Sequence, residues 1–437
     1  MHTIPRGLMA GALFLTLGSG MAAAQETPTP PPTPAPGAAP EQPAAAPPAI
    51  TPEEQAEIDK ATGADAASEA ARVPPPPAAP QGGGGLQSLN PDLSVILDVS
   101  AAAFSDAKPL QAGAHDPNAN GFRLNQLELS INHNVDPYFR FDGNIVFSDA
   151  ETPDVEEAYA TTLSLPYSLQ VRAGKFLTRF GRINNTHPHS WDFADQPFAL
   201  SRVFGGENNR GLGAELSWLS PLPWYVEVVG SATSATDDAT NRQFYGATDP
   251  GVKRLRDFEY VVAVKQFFDL NDDWSLLWGL SGAFGPNDSG IPDGKNENTQ
   301  IYGSDLYLKY RPITYGSNTI VSLQAEYFHV RRHEPGDTHT SHNAYAYLFW
   351  RFAQRWATAA RWEIGTPVES KNGTPDSLDP DWTSDRQRVS ANLTFWPSEF
   401  SRFRLQGSVD NGWMPNPIWA AMLTAEFVVG AHGAHKF

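Results

Sequence analysis

The stretch NNTHPHSWDFAD places His187 and His189 two residues apart, with Asp192 close behind. A second stretch, HVRRHEPGDTHTSHN, carries His329, His333, Glu334, Asp337, His339 and His342. Imidazole nitrogen with carboxylate oxygen is the donor set that suits zinc, copper or nickel. His187, His189, Asp192, His333, His339 and His342 are therefore candidate metal ligands, and zinc is the metal to expect. Neither spacing is a recognised metal motif, and the competing reading is that these histidines only tune charge on polar loops near neutral pH. A bound metal would either pin a loop or be captured by the later stretch and passed to the earlier one.

Other chemistry finds little support. The chain has no cysteine, which removes thiolate ligands, thiol nucleophiles and a disulfide framework. GLSG is not a nucleophile elbow, and HEPGD lacks the second histidine of a zincin helix. No enzyme activity is expected. A formal net charge of −18 argues against a nucleic-acid partner, which would require clustered Lys and Arg. Over 437 residues, 18% charged composition leaves no room for a bundle of membrane helices.

The elements that would position these side chains are strands. From Asn90 onward, apolar and polar residues alternate with period two, as in DLSVILDVSAAAF, QLELSINHNV, FEYVVAVKQF and RQRVSANLTFW. Sixteen such segments follow one another, the last running through IWAAMLTAEFVVGAHGAHKF. The fold class is therefore all-β. Short links (NVDPY, LPY, SPLP, DLNDD, PITYGSN, FAQR, PSEF) alternate strictly with longer ones near residues 105–120, 149–153, 177–210, 232–257, 285–299, 331–343, 364–384 and 411–417. Short turns at one end and long loops at the other, around an even number of strands, are the pattern of an antiparallel transmembrane β-barrel of the outer membrane. Phe139, Tyr167, Trp224, Trp274, Trp356 and Phe400 sit at or beside six of the short turns, as an aromatic girdle at a headgroup boundary would require. The expected partners are outer-membrane lipids and lipopolysaccharide.

Residues 1–24 have the layout of a cleaved secretory signal: Arg6, an apolar run from Leu8 to about Leu17, and Ala22-Ala23-Ala24 before Gln25. Residues 25–90 are Pro/Ala/Gly-rich and should be an extended or disordered periplasmic linker. Within it, Thr51, Pro52 and Glu54 form a capping-box pattern that predicts a short helix over 52–72. Residues 91–437 are then the barrel, with Phe437 closing its last strand.

Parity assigns the inner face. With Leu, Val and Trp toward lipid, Arg172, Glu215, Glu227, Glu259, Lys309, Arg311, Arg361, Arg388, Arg402 and Arg404 point inward, and that many charges predicts a water-filled interior. Carboxylates dominate the earlier strands and Arg and Lys the later ones, so a field across the lumen is expected to tune selectivity. On that reading, Arg402→Glu with Arg404→Glu should shift selectivity toward cations.

The segment VEEAYATTLSLPYSLQVRAGKFLTRFGRIN resembles the phosphate-selective porin pattern of a Glu-Glu-Ala-Tyr strand, then a Gly-x-Phe strand running into Phe-Gly. Residues 91–437 as a whole resemble the general and phosphate-selective porins of Gram-negative outer membranes. The resemblance implies a passive channel for small polar solutes or ions, with anions and divalent metals the candidates. It further implies a homotrimer, a third loop folded into the lumen, and recognition of the terminal Phe437 strand by barrel-assembly machinery. The third loop here, Leu177 to Arg210, is the longest and adds Arg179 and Arg182 to the candidate selectivity residues, but Asp192, Asp195 and Glu207 interrupt the basic ladder of a phosphate channel. Two other classes compete. A TonB-dependent receptor for metal uptake would require about 22 strands and a folded plug. A structural envelope tether would act through the Pro-rich arm.

Overall fold

The computed structural model describes residues 91–106, 111–148, 153–236, 240–292, 297–314, 318–380, 382–411 and 415–430. The signal segment, the linker with its expected helix, and Phe437 lie outside the described residues.

Sixteen long strands form one closed antiparallel wall: β1 (Asp92–Phe104), β2 (Gly121–Asn134), β3 (Phe139–Phe147), β4 (Asp154–Thr162), β5 (Leu169–Leu177), β6 (Arg210–Leu219), β7 (Tyr225–Ser234), β8 (Phe258–Asp269), β9 (Trp274–Pro286), β10 (Asn298–Tyr310), β11 (Ile320–Glu334), β12 (Asp337–Ala353), β13 (Trp356–Gly365), β15 (Arg386–Ser398), β16 (Ser401–Asn411) and β17 (Ile418–Gly430). Each pairs with its sequence neighbours, and β1 pairs with both β2 and β17, which closes the ring and leaves no free edge. The short β14 (Glu369–Ser370) lies outside this wall, on β12.

Period two is what sorts the two faces. Along β16, Arg402, Arg404, Gln406, Ser408 and Asp410 are buried inward while Phe403 and Leu405 are exposed outward. In register across three strands, Leu393, Leu405 and Leu423 form part of the outer apolar band. The short turns close by local chemistry: Asp136 Oδ1 accepts from the backbone N–H of Tyr138 (2.7 Å) and Phe139 (2.8 Å), and Asn271 Oδ1 accepts from Asp273 and Trp274 (3.0 Å each). The girdle aromatics Phe139, Tyr167, Trp224, Trp274, Trp356 and Phe400 are all exposed at this end.

One connection differs from the sequence expectation. The long loop assigned to 331–343 is instead a tight turn at Pro335-Gly336, with Gly336 at φ 85°, between strands that continue beyond the apolar band. Alternation persists through the polar stretch, because Arg332, Asp337, His339, Ser341 and Asn343 all turn inward and are buried there. A strand needs period two, and that period can be carried by polar residues wherever the interior supplies partners for them.

Candidate functional site

The site is the third loop, Thr178–Asn209, which crosses the barrel interior between β5 and β6 and includes the short helix α1 (Phe198–Phe204). Its neck is sealed by two asparagines. Asn184 Nδ2 donates to Thr178 O (2.8 Å) and Asn209 O (3.0 Å), while Asn209 N donates to Asn184 Oδ1 (2.7 Å).

Part of the interior is packed and dry, which corrects the expectation of a wholly water-filled lumen. Phe180, Ile183, Trp191, Phe193, Leu200, Val203 and Phe204 of the loop form one apolar cluster with wall residues including Val261, Ile301, Phe328 and Val330. Within the alternating FEYVVAVKQF, the inward parity carries Val261 and Ala263 between Glu259 and Lys265, and such apolar inward positions are the sequence signal for it. The wall leaves room for the loop at Gly303, where an added Cβ would lie 2.6 Å from Phe180 Cε1. Gly303→Val is expected to displace Phe180 and weaken loop seating by about 1–3 kcal/mol. Limited proteolysis within 178–209 measures this. Gly407→Val serves as the control, since a Cβ there would meet its nearest neighbour only at 3.9 Å.

Three walls hold the loop by polar contacts. Toward β13–β16, the buried Asp195 receives Arg361 Nη2 (2.6 Å), Arg388 Nη1 (2.7 Å) and Gln406 Nε2 (2.6 Å). Burial pushes the Asp195 carboxyl up, but the guanidinium charges of Arg361 and Arg388 outweigh it and hold the group below the usual carboxylate range. Arg402 Nη1 (3.1 Å) and Arg404 Nη2 (2.7 Å) both donate to the Trp191 carbonyl, and Arg402 Nη2 pairs with Glu426 at 2.5 Å. Toward β11 and β12, Glu326 Oε1 accepts from Arg182 N (3.2 Å), Ile183 N (2.8 Å) and Tyr345 Oη (2.6 Å). Toward β2 and β4, His187 faces Glu156 (3.1 Å) and Glu157 (2.9 Å), and His189 faces Glu128 (3.1 Å).

These contacts reassign several expected pore residues. Arg361, Arg388, Arg402 and Arg404 are buried under the loop, because its carboxylate and carbonyl oxygens satisfy them. Arg402→Glu with Arg404→Glu should therefore disturb loop seating before it alters selectivity. Arg172 and Arg179 both pair with Glu215 (3.0 and 2.9 Å), and Arg179 also pairs with Glu227 (2.6 Å). Glu259 is buried and accepts from Asn209 Nδ2 (2.5 Å). Arg182 lies 3.8 Å over the Tyr307 ring, and its Nε donates to Gln324 (2.9 Å). Lys309 is half-buried, and Arg311 is exposed where β10 ends.

The histidines separate as well. Asp192 does not join His187 and His189; it accepts from Tyr347 Oη (3.0 Å) on the opposite wall. His342 points outward and lies against its cross-strand partner His329, with ring centroids 4.7 Å apart and planes tilted by 30°. His333 meets Thr338 Oγ1 (3.2 Å), while His339 turns inward beside Glu334 (3.5 Å) and Asp337 (3.6 Å). The six expected ligands are thus not two clusters: on β11 and β12 alternate residues face opposite sides, and the third loop carries Asp192 across to Tyr347.

Sequence reasoning named Glu207 only as a break in the basic ladder and did not single out Glu128, Glu156, Glu157 or His115; together they surround the His187 end of the loop. The Glu-Glu pair was itself the signal, since two adjacent charges cannot both face inward in regular alternation. A bulge opposite Asn144 and Ile145 turns both carboxylates in.

Space remains on both sides of the loop. A cavity of about 730 Å³, lined by Phe198, Arg202, Arg242, Asp379, Trp382 and Arg386 among others, opens on the long-loop side. A second, about 410 Å³, lies at the short-turn end, where its charged lining is Arg311, Arg351, Arg355 and Glu399.

No protein-family model matches the chain. An uncharacterised protein of Aquifex aeolicus is 33% identical over 387 residues, covering 79% of this chain and 80% of the relative. Among solved structures, the outer membrane channel DcaP of Acinetobacter baumannii aligns with a TM-score of 0.51 at 11% identity, over 78% of this chain and 97% of that one. Pseudomonas putida OprB gives 0.51 at 11% over 78% and 94%. An anion-selective porin from Comamonas acidovorans gives 0.50 at 11% over 78% and 99%. The shared feature is the fold.

Proposed function

We propose that this chain, which belongs to the same family as the Aquifex aeolicus protein, is an outer-membrane porin through which small polar solutes, anions foremost, diffuse without energy coupling. The observation that carries the reading is a closed sixteen-strand wall with an apolar, aromatic-rimmed outer face and a charged inner face. Such a wall suits lipid outside and water or polar groups inside. Sixteen wall strands favour a porin over a TonB-dependent receptor, which would require about 22. Transport rather than catalysis goes with this reading, and so does a homotrimer, which cross-linking in detergent tests.

Anion preference is supported by the short-turn cavity, where Arg311, Arg351 and Arg355 face a single carboxylate, Glu399. Charge rings at a pore mouth set which ion is concentrated there. The test is reversal potential in planar bilayers under a salt gradient. The wild type is expected to favour anions, and Arg311→Glu with Arg355→Glu is expected to reverse or abolish that preference. A bilayer that stays closed at all voltages would reject the channel. Conductance with selectivity unchanged in the double variant would reject only the assignment of the mouth.

A further inference from the structure

We propose that His115, Glu156 and Glu207 form a zinc-class metal site that fastens the third loop to the barrel wall. The three residues come from three separate segments: the β1–β2 connection, strand β4 and the end of the third loop. Their ligand atoms all lie within 4.8 Å of one another. His115 Nε2 is 2.8 Å from Glu156 Oε1 and 3.0 Å from Glu207 Oε1.

Hydrogen bonding alone serves that arrangement poorly. One imidazole nitrogen carries at most one proton, yet two carboxylates converge on it. Glu207 has one oxygen committed to Arg210 (3.2 Å), and its other oxygen faces His115.

The dimensions suit a small ion. With metal–ligand bonds of about 2.0–2.1 Å, neighbouring donors of a tetrahedron stand roughly 3.3 Å apart, so the present 2.8 and 3.0 Å contacts would open by only a few tenths of an ångström. A void of about 20 Å³, lined by His115, Glu156, Thr186, His187, Glu207 and Arg210 among others, adjoins the three donors. It holds one water-sized sphere, enough for a fourth, solvent ligand. One imidazole and two carboxylates favour zinc-class ions over magnesium or calcium, which take oxygen alone.

The surroundings orient the ligands. The second oxygen of Glu156 faces His187 Nδ1 (3.1 Å), and His187 Nε2 in turn faces Glu157 (2.9 Å). His187 stacks on His189, with centroids 5.7 Å apart and planes 4° from parallel, and His189 is held by Glu128 (3.1 Å). Such outer partners fix a ligating carboxylate in position. His187 and His189 thus support the site rather than ligate the metal. The proposal is independent of what the barrel conducts.

Zinc titration calorimetry of the chelator-treated, detergent-purified full chain tests it. One zinc per chain is expected. His115→Ala and Glu207→Gln should each weaken binding by roughly 100-fold or more, since loss of outer partners alone costs about 10–100-fold. His339→Ala, in the separate Glu334–His339–Asp376 group, should bind as the wild type does. A heat shift on gels identifies variants that fail to fold. X-ray absorption at the zinc edge of the loaded wild type supplies a measurement that needs no variant, with one imidazole among oxygen donors expected. Absence of saturable binding, equal binding in His115→Ala, loss confined to His339→Ala, or an edge spectrum without imidazole would each overturn the site.

Discussion

Asp195→Ala is expected to release the third loop from the barrel wall and raise single-channel conductance several-fold while the barrel stays folded. Asp195 is fully buried, and its two oxygens bind Arg361 (2.6 Å), Arg388 (2.7 Å) and Gln406 (2.6 Å). Removing one partner from a buried ion cluster leaves uncompensated charge and costs about 3–5 kcal/mol. Here the cost falls toward the lower end. Arg361 keeps Glu363 (3.0 Å), and Arg388 keeps Glu363 (2.9 Å) and Asp410 (3.4 Å). The loss lands on loop docking, because β13, β15 and β16 are held in register by backbone pairs that do not include Asp195. Conductance in planar bilayers and protease sensitivity within 178–209 should both rise, with Asp195→Asn intermediate. Wild-type values for both in Asp195→Ala would mean that Asp195 does not latch the loop.

Leu405→Arg should destabilise the barrel in a bilayer by about 2–4 kcal/mol, the cost of a basic residue on the lipid face near the midplane. Leu405 is 58% exposed and sits in register between Leu393 and Leu423. In water, an exposed leucine exchanged for arginine changes stability by no more than about 0.5 kcal/mol. The two environments therefore give clearly separated outcomes. Reversible unfolding in lipid vesicles by denaturant measures it, and a change under 0.5 kcal/mol would place this face in water rather than lipid. Arg404→Leu, one position away, probes the opposite face and should loosen the third loop, because Arg404 donates to Trp191 O (2.7 Å).

The wall was legible in the sequence because strand pairing is a local rule repeated sixteen times. All sixteen alternating segments are wall strands, including the weakest, VEEAYATTLSL, whose irregularity is the bulge that turns Glu156 and Glu157 inward together. Between β11 and β12, HEPGDTHTSHN is polar throughout, as a loop would be, but its parity continues and it stays strand on both sides of the turn. The histidines differ in a further way. Spacing along the chain placed Asp192 with His187 and His189, whereas the loop carries Asp192 across the lumen to Tyr347 (3.0 Å).

Sequence periodicity alone settled which residues of each strand face outward, because a one-residue slip would turn every leucine of the wall inward. It also settled the strand count and that the short turns share one end. What fills the interior was decided only in three dimensions. Parity states that Arg361, Arg388, Arg402 and Arg404 point inward, but not whether water or protein meets them. The answer depends on Asp195 and Trp191, more than 160 residues earlier in the chain for each of these arginines. Long-range pairing of this kind leaves no local pattern, since each partner satisfies its own strand or loop preference whether or not the other is present. The loop reaches its arginines, and His115 reaches Glu156 and Glu207, only because closing the barrel brings distant strands to face one another across the lumen.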